Sequence, residues 1–135
     1  MIFLRKKSKT MGYLYIFATV FFTVYGQIIL KWRMNTLSVF PENATLELSD
    51  KFIYVFKLLL DPWILSGFLA AFVASLFWIL AMSKFEISYA YPFMSSAFIF
   101  VLIISYFFLS ETMSIEKVIG MGFIVLGIII SSRSL

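Results

Sequence analysis

Four windows of this sequence are long and apolar enough to cross a bilayer as helices, and that property excludes almost every other kind of fold. Crossing ~30 Å of hydrocarbon at ~1.5 Å per residue takes about 20 apolar residues. Such windows run from Met11 to Leu30, Trp63 to Met82, Ser88 to Leu109 and Ile115 to Ser132. Composition agrees. Hydrophobic residues make up 62% of the 135-residue chain and charged residues 13%, with a mean hydropathy of +1.00. A water-soluble domain of this size would have to expose much of that apolar surface. Alternating strand patterns about ten residues long are missing, which argues against a β-barrel. The expected fold class is an all-α integral membrane protein. It has four transmembrane helices in a single domain spanning residues 1–135, with an interfacial helix between the first and second.

Arg5, Lys6, Lys7 and Lys9 precede the first window, as a secretory leader would require. The window is nevertheless long enough to span and has no small-residue cleavage site after it, so it reads as a retained helix. The basic tail places the N-terminus on the cytoplasmic side, and four spans return the C-terminus to the same side of the cell (inner) membrane. The bias is narrow, because six basic residues fall inside and five outside. With no cysteine and no histidine, disulfides, thiolate metal sites and imidazole chemistry are excluded. No catalytic residue, cofactor, metal or nucleic-acid partner is expected.

Residues Lys31 to Asp61 form the long connection and hold four of the seven acidic residues. Beyond Ser49, a candidate N-cap, Phe52, Phe56 and Leu59 recur at helical spacing opposite Asp50, Lys51 and Lys57, as in a helix lying at the interface. Asp61-Pro62-Trp63 reads as a helix start, with Asp61 as cap, Pro62 at the first helical position and Trp63 at headgroup depth. Asn43-Ala44-Thr45 matches a glycosylation sequon, a pattern that chance supplies often.

Tyr15, Thr19, Thr23, Gln27 and Lys31 recur every four residues, forming a slanting polar stripe along the first span with Gly26 beside it. Thr and Gln in such a stripe either bond neighbouring helices or wall a cavity, but a buried amide cannot face lipid. In the second span Ser66, Ala70 and Ala74, and next to them Gly67, Ala71 and Ser75, form a small-residue packing face. Gly120 and Gly127 of the fourth span favour association with another subunit. The third span opens SYAYPFMSSAF, where Pro92 weakens the helix beside Tyr89, Tyr91, Ser95 and Ser96. Ser88, Tyr91 and Ser95 are expected on one face there, lining a cavity or buried in protein. No Asp or Glu is read inside any span.

The pieces YGQIILK (25–31), ISYAYPFMSS (87–96) and LSETMSIEKVIGMGFIVLGIII (109–130) resemble the four-span branch of the drug/metabolite transporter superfamily. Two subgroups are similar. Small multidrug resistance exporters carry a first-span Glu that exchanges proton for cation, and Thr23 occupies the matching place. Subunits of the aminoarabinose-phosphoundecaprenol flippase type use Gly-Gln and Ala-Tyr-Pro, matched by Gly26-Gln27 and Ala90-Tyr91-Pro92. Thr36 to Leu60 matches neither. Thr does not ionise near neutral pH, so the antiporter's central group is lacking.

The resemblance implies translocation of an undecaprenyl-phosphate-linked sugar or related polyprenyl lipid by a homodimer, or by a heterodimer with a second small four-span subunit. Thr19, Thr23, Gln27, Tyr91 and Ser95 would line the path among membrane lipids, with Lys31 and Arg33 as phosphate anchors. The alternatives are an exporter of small amphipathic solutes and a non-transporting accessory subunit of a glycan-assembly complex.

Overall fold

A computed structural model describes residues 2–37 and 47–133, with only the backbone path for 2–8. The chain forms α1 (Ile2–Leu37), α2 (Leu48–Leu59), α3 (Pro62–Met82), α4 (Ile87–Met94), α5 (Ser96–Phe108) and α6 (Ile115–Ser132). Four stretches are long and apolar enough to span: Lys9–Leu37, Pro62–Met82, Ile87–Phe108 and Ile115–Ser132. The fold is therefore an all-α, multi-pass membrane bundle. The sequon at 43–45 lies outside the described residues.

Helix α1 is longer than the first apolar window. It continues past Leu30 to Leu37, so Lys31 and Arg33 project from the helix rather than from an irregular connection. No glycine or proline interrupts residues 27–37, so nothing in the sequence stops the helix there. The span interiors are free of carboxylates as expected, with one correction: Glu116 lies in the first turn of α6. An acid is favoured there because the exposed N–H groups carry partial positive charge.

Helix α2 begins at Leu48 with Glu47 as the extended residue before it, two residues earlier than a Ser49 cap allows. Its 12 residues reach ~18 Å, too short to cross a bilayer. None of them is buried, and among the other helices α2 touches α3. Asp50 in the first turn and Lys57 in the last both suit the helix dipole.

At the head of α3 the Asp61 carboxylate accepts from the backbone N–H of Trp63 (3.0 Å) and Ile64 (3.3 Å), with Pro62 at the first helical position. The third span is broken where Pro92 suggested. Pro92 has no N–H to offer the preceding turn, and three residues on, the Ser95 N–H is shared between the carbonyls of Tyr91 (3.2 Å) and Pro92 (3.1 Å). α5 then starts at Ser96.

Among the described residues α1 lies centrally. It packs on α3, α4 and α5, whereas α6 touches α4 and α5 and neither α1 nor α3. The small-residue face of α3 seats against α1: Gly67, Ala70 and Ala74 are buried. A Cβ on Gly26 would lie 3.0 Å from the Gly67 carbonyl oxygen, and one on Gly67 would lie 2.9 Å from Ile29. In lipid, helices associate through such close packing rather than hydrophobic drive, so these two glycines set the α1–α3 spacing.

The core gathers toward the N-terminal end of the bundle, where Ile16, Val20 and Val24 meet Ala81, Phe85, Tyr89, Ala90 and Ala97. There the Tyr13 and Tyr89 hydroxyls share a 2.7 Å hydrogen bond. Nothing lies within 4 Å of a Cβ built on Gly120, Gly122 or Gly127, so the glycines of α6 serve no packing within this chain's described residues.

Candidate functional site

Where the core ends, the bundle opens into two adjoining cavities of about 300 and 380 Å³ that share Thr23, Gln27, Tyr91 and Met94. Volumes of this size suit a small ligand group. The first cavity lies between α1 and α3, against the start of the broken span, and adds Thr19, Ala71, Ser75 and Trp78. The second runs along α4 and α5 and adds Ser95. The period-four stripe of α1 is what aims Thr19, Thr23 and Gln27 along one wall, while the break at Ser95 turns Tyr91 and Ser95 toward them.

Five of the seven expected site residues are thus brought together: Thr19, Thr23, Gln27, Tyr91 and Ser95. They are not equivalent. Thr19 is only 2% exposed, and its hydroxyl donates to the Tyr15 carbonyl at 2.8 Å, so it backs the wall. The side chains of Thr23 and Gln27 make no hydrogen bond with other described residues, and Tyr91, 58% exposed, turns its ring edge-to-face against Trp78 at 5.4 Å and 89°. Ser88, Tyr91 and Ser95 do share a face, lining a further cavity with Ile124 and Gly127 of α6.

Lys31 and Arg33 stand apart from the cavities, and each has a carboxylate partner. Lys31 Nζ lies 3.6 Å from Glu111, with both side chains well exposed. Glu111 is placed by a left-handed turn: Ser110 takes φ 54°, and the N–H groups of Leu109 and Glu111 both reach the Ser105 carbonyl. Arg33 grips Asp61 with Nε and Nη2, the shortest contact being 2.7 Å. That guanidinium, then the two backbone N–H groups it shares the acid with, holds the Asp61 carboxyl below the usual carboxylate range.

Sequence reasoning missed Ser75, Trp78, Asp61 and Glu111 as neighbours of the site. Trp78 carried a legible signal, since it sits at the far end of its span from Trp63 yet packs inward on Tyr91. The ion pairs join residues 28 and 80 positions apart and left no local trace.

On its other flank α1 borders a groove of about 330 Å³ lined by Phe17, Phe21, Val24, Ile28, Phe100 and Ile104 among others, with no charged side chain.

No solved structure matches the chain. A protein of Sinorhizobium fredii (strain NBRC 101917 / NGR234), described as uncharacterized protein y4nH, is 30% identical over 119 residues, 87% of this chain and 92% of its own length. The sequence pattern of the EamA-like transporter family matches residues 10–133. Because that match runs through all four spans, the chain belongs to the EamA-like transporter family, membrane transporters of the drug/metabolite superfamily.

Proposed function

We propose that this transporter moves a polyprenyl-phosphate-linked sugar between leaflets, acting as a dimer with a second copy or a similar four-span subunit. The observation that carries the reading is the division of labour across α1. One flank holds an uncharged, hydrogen-bonding cleft of Thr23, Gln27 and Tyr91, and the other an apolar groove. Cations stand at the far end of the same helix. An amphiphile with a polar head, an apolar tail and an anionic joint meets all three. Ser95 adds to the head's path and Thr19 backs it. The open glycine face of α6 supports a partner subunit, since four helices alone leave the cleft unroofed.

Of the two cations, Lys31 is the one that receives the phosphate. Its pairing with Glu111 is long and exposed, and such pairs are weak and easily exchanged. Arg33 is committed to Asp61 through a planar fork and holds the helix ends together.

Binding of polyprenyl phosphate to purified, folded protein, measured by native mass spectrometry, tests this reading. Charge-assisted contacts to a phosphate make Lys31→Ala weaker by about 10- to 100-fold, with Lys51→Ala unchanged. Equal affinity in those two variants removes Lys31 from the site. Absence of binding by the unaltered chain overturns the reading itself.

A further inference from the structure

We infer that the cleft selects an uncharged sugar and rejects both amino sugars and uronic acids. The inference names the head group of the lipid proposed above and rests on that reading for the carrier alone. The selection itself is a property of the cleft.

The polar groups that face the two cavities are the Thr23 hydroxyl, the Gln27 amide, the Ser75 and Ser95 hydroxyls and the Tyr91 phenol. Every one is neutral. Among the described residues no Asp, Glu, Lys or Arg lines either cavity. The nearest charges along α1, Lys31 and Arg33, stand outside both cavities, each beside a carboxylate. A sugar ammonium or carboxylate drawn into this space would therefore lose its water without gaining a counter-charge. Attraction of an ammonium to the face of Trp78 or Tyr91 is real but smaller than that loss.

What the cleft does offer is matched to hydroxyl groups. The side chains of Thr23, Gln27 and Tyr91 make no hydrogen bond to other described residues, so these cavity-lining residues carry side-chain donors and acceptors without partners. Groups so placed at membrane depth need polar company, and a polyol supplies it. Ser75 donates to the Phe72 carbonyl at 2.6 Å, which leaves its oxygen as an acceptor for a ligand hydroxyl. Trp78, edge-on to Tyr91, adds an aromatic surface on the same wall for the apolar C–H face of a sugar ring.

The test uses three probes with one tail and different heads: hexyl glucoside, cationic hexyl glucosaminide and anionic hexyl glucuronide. Each is titrated onto the full chain in phosphatidylcholine nanodiscs. Emission of Trp78 in a Trp32→Phe/Trp63→Phe background reports occupancy, and saturation-transfer NMR on the unaltered chain ranks the same probes independently of those substitutions. Hexyl glucoside is expected to bind at least about tenfold more tightly than either charged probe, and Gln27→Leu to weaken hexyl glucoside binding roughly 2- to 10-fold. Equal binding of the three heads, tighter binding of a charged one, no binding of any, or hexyl glucoside affinity unchanged by Gln27→Leu would overturn the inference. A chain that binds hexyl glucoside selectively but not polyprenyl phosphate would keep its sugar site and lose the lipid-carrier function.

Discussion

Arg33 and Asp61 form a forked ion pair in which Nε lies 3.1 and 3.0 Å from the two carboxylate oxygens and Nη2 lies 2.7 Å from one of them. The same carboxylate caps α3 through the Trp63 and Ile64 N–H groups, and Trp32 meets Trp63 edge-on at 5.5 Å beside it. One acid thus fixes both the start of α3 and its position against α1. Asp61→Ala removes the cap and the pair together, whereas Asp61→Asn keeps an effective cap and loses the charge. Thermal unfolding in detergent should rank unaltered chain above Asp61→Asn, and Asp61→Asn above Asp61→Ala. Asp61→Asn and Arg33→Ala should be strongly non-additive, since both break one pair. Additive losses would mean that the pair contributes nothing.

Acid should erase part of that advantage. The folded state holds Asp61 below its ordinary value of 3.8, so its contribution is fully present above that value. It is lost as pH falls through the depressed folded value. Unfolding midpoints of the unaltered chain and Asp61→Asn should therefore differ at neutral pH and converge in strong acid. A constant gap across that range contradicts the linkage.

Gly26 and Gly67 leave no room for a methyl group between α1 and α3. Gly26→Ala directs its new carbon at a backbone oxygen that cannot swing aside, and overpacking of this kind costs about 1–3 kcal/mol. Gly120→Ala meets nothing and should leave monomer stability unchanged. Calorimetry of the two variants checks the contrast, and a neutral Gly26→Ala would show that the helices separate easily.

The spans, the capped start of α3 and the break near Pro92 were legible because each follows from local rules: apolar length, a cap with Pro after it, a missing N–H. The stripe from Thr19 to Gln27 was legible because it repeats with the helix. The length of the first helix was not legible, since charge at Lys31 and Arg33 resembles an exit, although distant Glu111 and Asp61 pair with both and the helix continues to Leu37. Pairing across 80 and 28 residues depends on how the bundle closes, which no local pattern encodes. Ser75 looked like part of the packing face, and only the rotation of α3 against α1 turns it into the cleft instead.

Thr23→Val, Gln27→Leu and Tyr91→Phe each remove a polar group that faces the cleft and has no partner in the described chain. Neutral hydrogen bonds contribute ~0.5–1.5 kcal/mol, so each variant should weaken head-group binding roughly 2- to 10-fold while leaving thermal stability equal or higher. Native mass spectrometry with melting curves separates the two effects. Lower stability with unchanged binding would make these residues packing groups.

Translocation itself is the direct test. Purified protein is reconstituted into vesicles holding a fluorescent polyprenyl-phosphate hexose, and an impermeant quencher reports which leaflet the label occupies. Label should cross faster than in protein-free vesicles with no pH gradient imposed, because among the described residues no carboxylate lines the cleft to exchange a proton, and Gln27→Leu should slow it. Vesicles that show no acceleration, yet take up a lipophilic cation when a pH gradient is applied, would contradict the lipid-carrier function and point to proton-coupled export.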